Sequence, residues 1–180
     1  MTVPPGPTTP DGGPVDPKPP SVFARMLITD EQFTSCRRTV MDANPGVSEE
    51  LAGRIVEEAL KFVAACSANP GAGLVPSRIV DEGWHALIVH TQMYADLCER
   101  LGGPGGPAPF VHHAPGYGPD NWHSSVLDRT REAIGRLGWA TDLELWVAPD
   151  DESLVSVAAK CQHSDDSGPI VIIPKKPGVA

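Results

Sequence analysis

Positive charge is scarce in this chain. Of 180 residues, 14 are Lys or Arg against 23 Asp or Glu, which leaves a net charge of −9 at pH 7. A protein that holds nucleic acid by neutralising phosphates needs a basic stripe. Arg37-Arg38 and Lys175-Lys176 are isolated pairs, so no nucleic-acid partner is expected. Long apolar runs are missing too: none approaches the roughly 20 residues that cross a bilayer, which argues against a membrane partner. The first residues lack a basic stretch followed by an apolar one, the mark of a secretory leader, and the expectation is a cytoplasmic protein. Cysteine is limited to Cys36, Cys66, Cys98 and Cys161, with no Cys-x-x-Cys pair. In a reducing compartment these should be free thiols, with Cys66 and Cys98 acting as small hydrophobes on helical faces. Familiar catalytic signatures are also absent. There is no Gly-x-Ser-x-Gly and no His-Glu-x-x-His, and the glycine-rich stretch at 102–106 has no Lys-Ser/Thr after it, so it is not a phosphate loop.

Proline and glycine are plentiful, at 20 and 18 residues, and unevenly spread. Residues 1–22 are so rich in both, and so poor in large apolar side chains, that they cannot offset the entropy of ordering; they read as a disordered tail. Residues 23–148 carry helical periodicity, and the expectation is an all-α fold: a small compact domain of about four helices. The first helix starts at Thr29, where Thr29-Asp30-Glu31-Gln32 has the form of a capping box. It runs to about Ala43, before Asn44-Pro45-Gly46. The second follows Ser48, with Glu49 and Glu50 favouring the positive end of its dipole. Leu51, Ile55, Ala59, Phe62 and Cys66 form its apolar stripe, widened by Val56, Leu60 and Val63, so it should be buried against more than one neighbour. The third is a single helix from Ser77 to Leu101, stopped by Gly102-Gly103. A fourth spans about Trp122 to Leu137. Trp139 to Val147 is either a short helix or an extended piece packed by its two Trp residues. Residues 149–180 read as an acidic, loosely attached tail. In it, Ile170 to Ile173 is too short a β-branched run to imply a sheet.

The residues that bear chemistry gather on the third helix. Asp81 and His85 are four apart, which stacks their side chains on one helical face beside the apolar Trp84. Downstream, His112 and His113 are adjacent in a short segment. If it is extended, successive side chains point opposite ways, so one of the two faces the helix, and the loop from Gly102 to Pro109 is long enough to fold back. Two histidines and one carboxylate with open positions suit non-haem Fe(II), and with a bound water they suit Zn. The alternative is an Asp–His hydrogen bond without a metal, in which the carboxylate orients the ring. His90, five residues after His85, falls on another face and reads as surface or supporting, as does His123. Tyr94 is either a core aromatic or a phenol lining a pocket. Cys161-Gln162-His163 offers a thiolate and an imidazole in the tail.

Val80-Asp81-Glu82-Gly83-Trp84-His85, then Thr91-Gln92-Met93-Tyr94 with Cys98, then Phe110-Val111-His112-His113-Ala114-Pro115, resemble a group of bacterial proteins labelled glycine-rich domain-containing. That group shares a Val-Asp-x-x-Trp-His core with plant proteins of the same label. The resemblance covers roughly Leu27 to Trp146. It implies a compact helical domain in which Asp81, Trp84, His85, Tyr94, His112 and His113 form one spatial unit, and it implies no particular activity. The sequence departs from the pattern in its longer Pro/Gly loop before Phe110. It departs again in a tail with one cysteine where the group ends Cys-rich, which weighs against a tail metal site.

Two functions are therefore in view. The first is a small cytosolic helical protein with a metal site drawn from Asp81, His85, His112 and His113, with Trp84 and Tyr94 lining its pocket. It would hold iron or zinc and act as a metal-dependent enzyme or a metal-binding accessory factor. The second is a non-catalytic module, in which the same cluster fixes the loop to the helix and the tails contact a protein partner.

Overall fold

A computed structural model describes residues 23–102, 110–113 and 124–147. The expected tails at 1–22 and 149–180, His123 and the Cys161/His163 pair lie outside the described residues. The fold is all-α. A 3-10 turn at Ala24–Leu27 leads to α1 (Asp30–Ala43), α2 (Glu49–Ala68), α3 (Arg78–Val89), α4 (Thr91–Leu101) and α5 (Ser124–Arg136).

The first two helices begin where their caps require. Thr29 accepts from the Gln32 amide while the Gln32 side chain accepts from the Thr29 amide, closing the capping box. Ser48 accepts from the Leu51 amide at the start of α2. Each satisfies an amide that the first helical turn leaves without a partner. Asn44 and Asn69 close the two helices, and each carboxamide donates back to a carbonyl four residues earlier.

α2 is the hub of the domain and packs against α1, α3 and α5. Its burial runs nearly all round, through Ala52, Ile55, Val56, Ala59, Leu60, Phe62, Val63 and Ala65. The closest approach is to α3 at Gly83, where an added Cβ would stand 2.6 Å from the Ile55 carbonyl oxygen and 2.9 Å from the Ala59 Cβ. Only a residue without a side chain lets the two helices come so near.

The expected third helix is in fact two. The chain leaves helical geometry at His90 (φ −86°, ψ 61°), whose amide reaches back to the Leu87 carbonyl. Ile88, Val89 and Thr91 crowd the break with β-branched side chains of low helix propensity. The His90 ring is drawn across to Thr39 of α1, with Nε2 and Oγ1 3.0 Å apart.

The remaining elements wrap this core. The Thr130 hydroxyl of α5 donates to the Val75 carbonyl and accepts from the Val75 amide. Residues 139–147 form turns rather than a helix, and fold back onto α2 through the buried Leu145 and Trp146. The described cysteines, Cys36, Cys66 and Cys98, are free thiols as expected. Burial pushes Cys36 up to about 11 and Cys66 up to about 12, so neither is a ready thiolate. No helix among the described residues is long and apolar enough to cross a membrane.

Candidate metal centre

α3 presents the first two donors. Ser77 caps it and accepts from the Val80 amide, which sets Asp81 in the first turn and His85 one turn further on. Trp84, between them in sequence, turns inward and meets Phe62 of α2 edge-on, with ring centroids 5.0 Å apart. The third donor arrives from residues 110–113. The Tyr94 hydroxyl on α4 donates to the Val111 carbonyl at 2.7 Å and accepts from Trp84 Nε1 at 2.9 Å. Ten residues of straight helix span about 15 Å, so it is the break at His90 that brings Trp84 and Tyr94 together. Burial raises the Tyr94 phenol above its ordinary range, and it stays protonated as a donor. Two residues beyond Val111, the His113 ring lies over Trp84 at 4.7 Å and beside His85 at 4.6 Å between centroids.

The donor atoms converge. His85 Nε2 and His113 Nε2 are 3.0 Å apart. His113 Nε2 lies 3.4 Å from Asp81 Oδ1, and His85 Nε2 lies 3.8 Å from Asp81 Oδ2. One donor atom from each residue falls within 4.8 Å of the others. Two nitrogens each bound at the usual Zn–N length, at angles between octahedral and tetrahedral, would stand roughly 3.0–3.4 Å apart. Asp81 Oδ1 is buried without a well-formed hydrogen bond among the described residues; His113 Nε2, at 3.4 Å, is a long contact. A buried acceptor left bare is uncommon and calls for an explanation. The side chains are 30% exposed for His85, 12% for His113 and 5% for Asp81, so the cluster opens to solvent on the His85 side.

Burial disfavours the charged forms of His85 and Asp81 alike. Desolvation lowers the pKa of His85; the Asp81 charge opposes this and His113 adds to it. This favours the neutral ring, the form that can act as a ligand. Desolvation raises Asp81, against the pull of His85 and His113. A cation at the centre would relieve that penalty.

Asp81, His85 and His113 are thus brought together, and His112 is not. His112 is exposed and its ring lies against Phe110 at 4.8 Å. Alternation along an extended segment sends one histidine to the helix and its neighbour away. Trp84 and Tyr94, expected to line a pocket, are 2% and 1% exposed and support the donors from behind. His90, expected at the surface or in a supporting place, is the joint between α3 and α4. Gly83 escaped the sequence reading, although a glycine inside an apolar helical stripe is a signal of close approach.

The UCP032817-like family model matches residues 24–126. That is more than half of the chain, and the chain belongs to this family. The match takes in α1 to α4 and the 110–113 segment, and so all three donors. No curated protein and no solved structure matches.

Proposed function

We propose that this chain holds a divalent transition metal ion, iron or zinc, on Asp81, His85 and His113, and works as a metal-dependent enzyme or a metal-binding accessory factor. The carrying observation is the pair of imidazole nitrogens 3.0 Å apart beside the bare, buried Asp81 Oδ1. A proton shared between the rings would satisfy the nitrogens and leave the oxygen with only the long 3.4 Å contact to His113. A cation satisfies all three. Two imidazoles and one carboxylate leave coordination positions open, on the solvent side set by His85. A metal there would polarise a substrate oxygen or lower the pKa of a bound water. The chain's own part is to keep His85 neutral, to supply the Asp81 charge and to hold His113 in reach.

The same reading makes this a cytoplasmic protein allied to the glycine-rich domain-containing group, with a small-molecule or protein partner rather than nucleic acid or membrane. Its support is the net charge of −9 and the Trp-His and His-His motifs. Metal analysis of protein purified without a His-tag tests the core of it. About one equivalent is expected, lost in His85→Ala and His113→Ala and kept in His112→Ala. Substoichiometric metal indifferent to the first two substitutions rejects the proposal.

A second reading is a non-catalytic interaction module whose cluster only fastens the loop. The Trp84–Tyr94–Val111 chain of hydrogen bonds favours it, since that chain holds the segment without a metal. Thermal shift separates the two. Under the first reading Zn²⁺ or Fe²⁺ raises the melting temperature. Under the second, no metal moves it and His113→Ala costs several degrees.

A further inference from the structure

The third donor differs from the other two in how it is held. Asp81 and His85 are fixed by the helix that carries them, and by the close seat of α3 on α2 at Gly83. His113 lies outside any helix, and its place depends on its own ring contacts with Trp84 and His85 and on contacts made by its neighbours. Val111 is anchored through its carbonyl to the Tyr94 hydroxyl at 2.7 Å. Phe110 meets the Tyr94 ring edge-on at 5.3 Å. Both contacts converge on one side chain. Tyr94 itself is buried to 1% exposure, and its oxygen is fixed from the other side by Trp84 Nε1. The position of α4, which carries Tyr94, is set by the break at His90 and the His90–Thr39 contact.

We infer that the Tyr94 hydroxyl is a latch that decides whether His113 stands at the metal centre. This rests on the metal reading above. With the bond made, His113 lies over Trp84 and beside His85, and the centre has three donors. With it broken, Val111 loses its anchor and the centre falls back to Asp81 and His85, a pair too few for tight binding of a transition metal. Tyr94 touches no donor atom in this arrangement; it is a positioning residue, acting through the backbone of Val111 as outer partners of metal ligands do.

The test compares Tyr94→Phe with His113→Ala in the full chain, by competition of Zn²⁺ against a chelating dye, with the metal-free melting temperature of each recorded. Tyr94→Phe keeps the ring and removes the latch. It is expected to weaken Zn²⁺ binding by about 10- to 100-fold. Added imidazole should restore binding in both variants, because in both the third position is empty; a role in stability alone would not respond to imidazole. Replacing the amide of His112 by an ester weakens the Val111 carbonyl as an acceptor and changes no side chain, so it should give the same imidazole-sensitive loss even if Tyr94→Phe does not fold. Unchanged Zn²⁺ affinity in Tyr94→Phe and in the ester overturns the latch, as does a loss that imidazole repairs in His113→Ala alone. Unchanged affinity in His113→Ala overturns the metal reading itself, and the latch with it.

Discussion

Glu58 on α2 and Asp81 on α3 are equally buried, at 2% and 3% exposure, yet their surroundings are opposite. Glu58 is fully engaged. One oxygen accepts from Lys61 Nζ at 2.6 Å and from the Asp142 amide at 3.2 Å, and the other accepts from Trp146 Nε1 at 2.6 Å. Lys61 goes on to donate to the Ala140 carbonyl. This carboxylate ties residues 139–147 to the hub helix and has both oxygens engaged. Asp81 keeps one oxygen without a well-formed hydrogen bond among the described residues and faces two rings whose nitrogens stand 3.0 Å apart. A buried carboxylate with both oxygens hydrogen-bonded is a fastening; one held open among other donors is a candidate site. The same residue class at the same depth therefore carries different work, and partner count tells the two apart where burial does not.

The largest expected effect tests the closed half of that contrast. Glu58→Ala leaves the Trp146 indole without its acceptor and the Lys61 ammonium with only the Ala140 carbonyl and a distant Glu57, and should cost about 3–5 kcal/mol in urea unfolding, as when a buried pair is broken. A cost below about 1 kcal/mol, the worth of one ordinary hydrogen bond, would mean that this carboxylate is no anchor. The open half is tested by Asp81→Asn, which keeps the shape and removes the charge. Zn²⁺ affinity should drop by more than about 100-fold, beyond what a lost outer partner costs, while the metal-free protein stays as stable or gains slightly. Comparable unfolding in Asp81→Asn and Glu58→Ala would erase the distinction.

The helices themselves were largely legible in the sequence, because their signals are local. The capping box at Thr29, the Ser48 cap and the apolar stripe of α2 each name an element without reference to the rest of the chain. The break at His90 was not legible. The spacing from Val80 to Cys98 continues across it, and the contact that holds it comes from Thr39, 51 residues earlier. The site was half visible. Helical spacing pairs Asp81 with His85, and strand-like alternation says that one of His112 and His113 joins them. Which one is decided by Tyr94 on a helix the sequence did not separate.

A third prediction concerns Gly83, which holds the α3 donors against α2. Gly83→Ala forces a methyl toward the Ile55 carbonyl oxygen. It should cost about 1–3 kcal/mol as an overpacked contact, read from the urea midpoint, and should loosen Zn²⁺ binding while Glu58 and its partners remain in place. Equal stability would show that α3 can shift freely.

The smallest effect is one of pH. Glu82, next to Asp81, is a carboxylate of intermediate standing, with a long hydrogen bond from Asn44 Nδ2 at 3.5 Å. Burial pushes it up to about 7 from 4.5; the Asn44 bond opposes this and the Asp81 charge adds to it. Between those values the folded protein keeps a proton that the unfolded chain has released. The contribution of Glu82 to stability is thus fully present below 4.5 and is lost as pH rises through about 7. Glu82→Gln should flatten that part of the profile when urea midpoints of the metal-free protein are compared across the range. An unchanged slope would place Glu82 in water.

Ser77 joins the two halves of the molecule. Its hydroxyl accepts from the Val80 amide, starting α3, and donates to the Leu145 carbonyl of the segment that Glu58 holds. One hydroxyl thus ties the first turn of the site helix to the return of the chain onto α2. In the language of hydrogen exchange, the Val80 amide is expected in the slowest class, released when the whole domain unfolds. Residues 110–113, tied through Tyr94, are expected to exchange by a local opening that leaves that class untouched. On the metal reading, faster exchange there than at Val80 would mean that one donor leaves and returns within the lifetime of a single folded state.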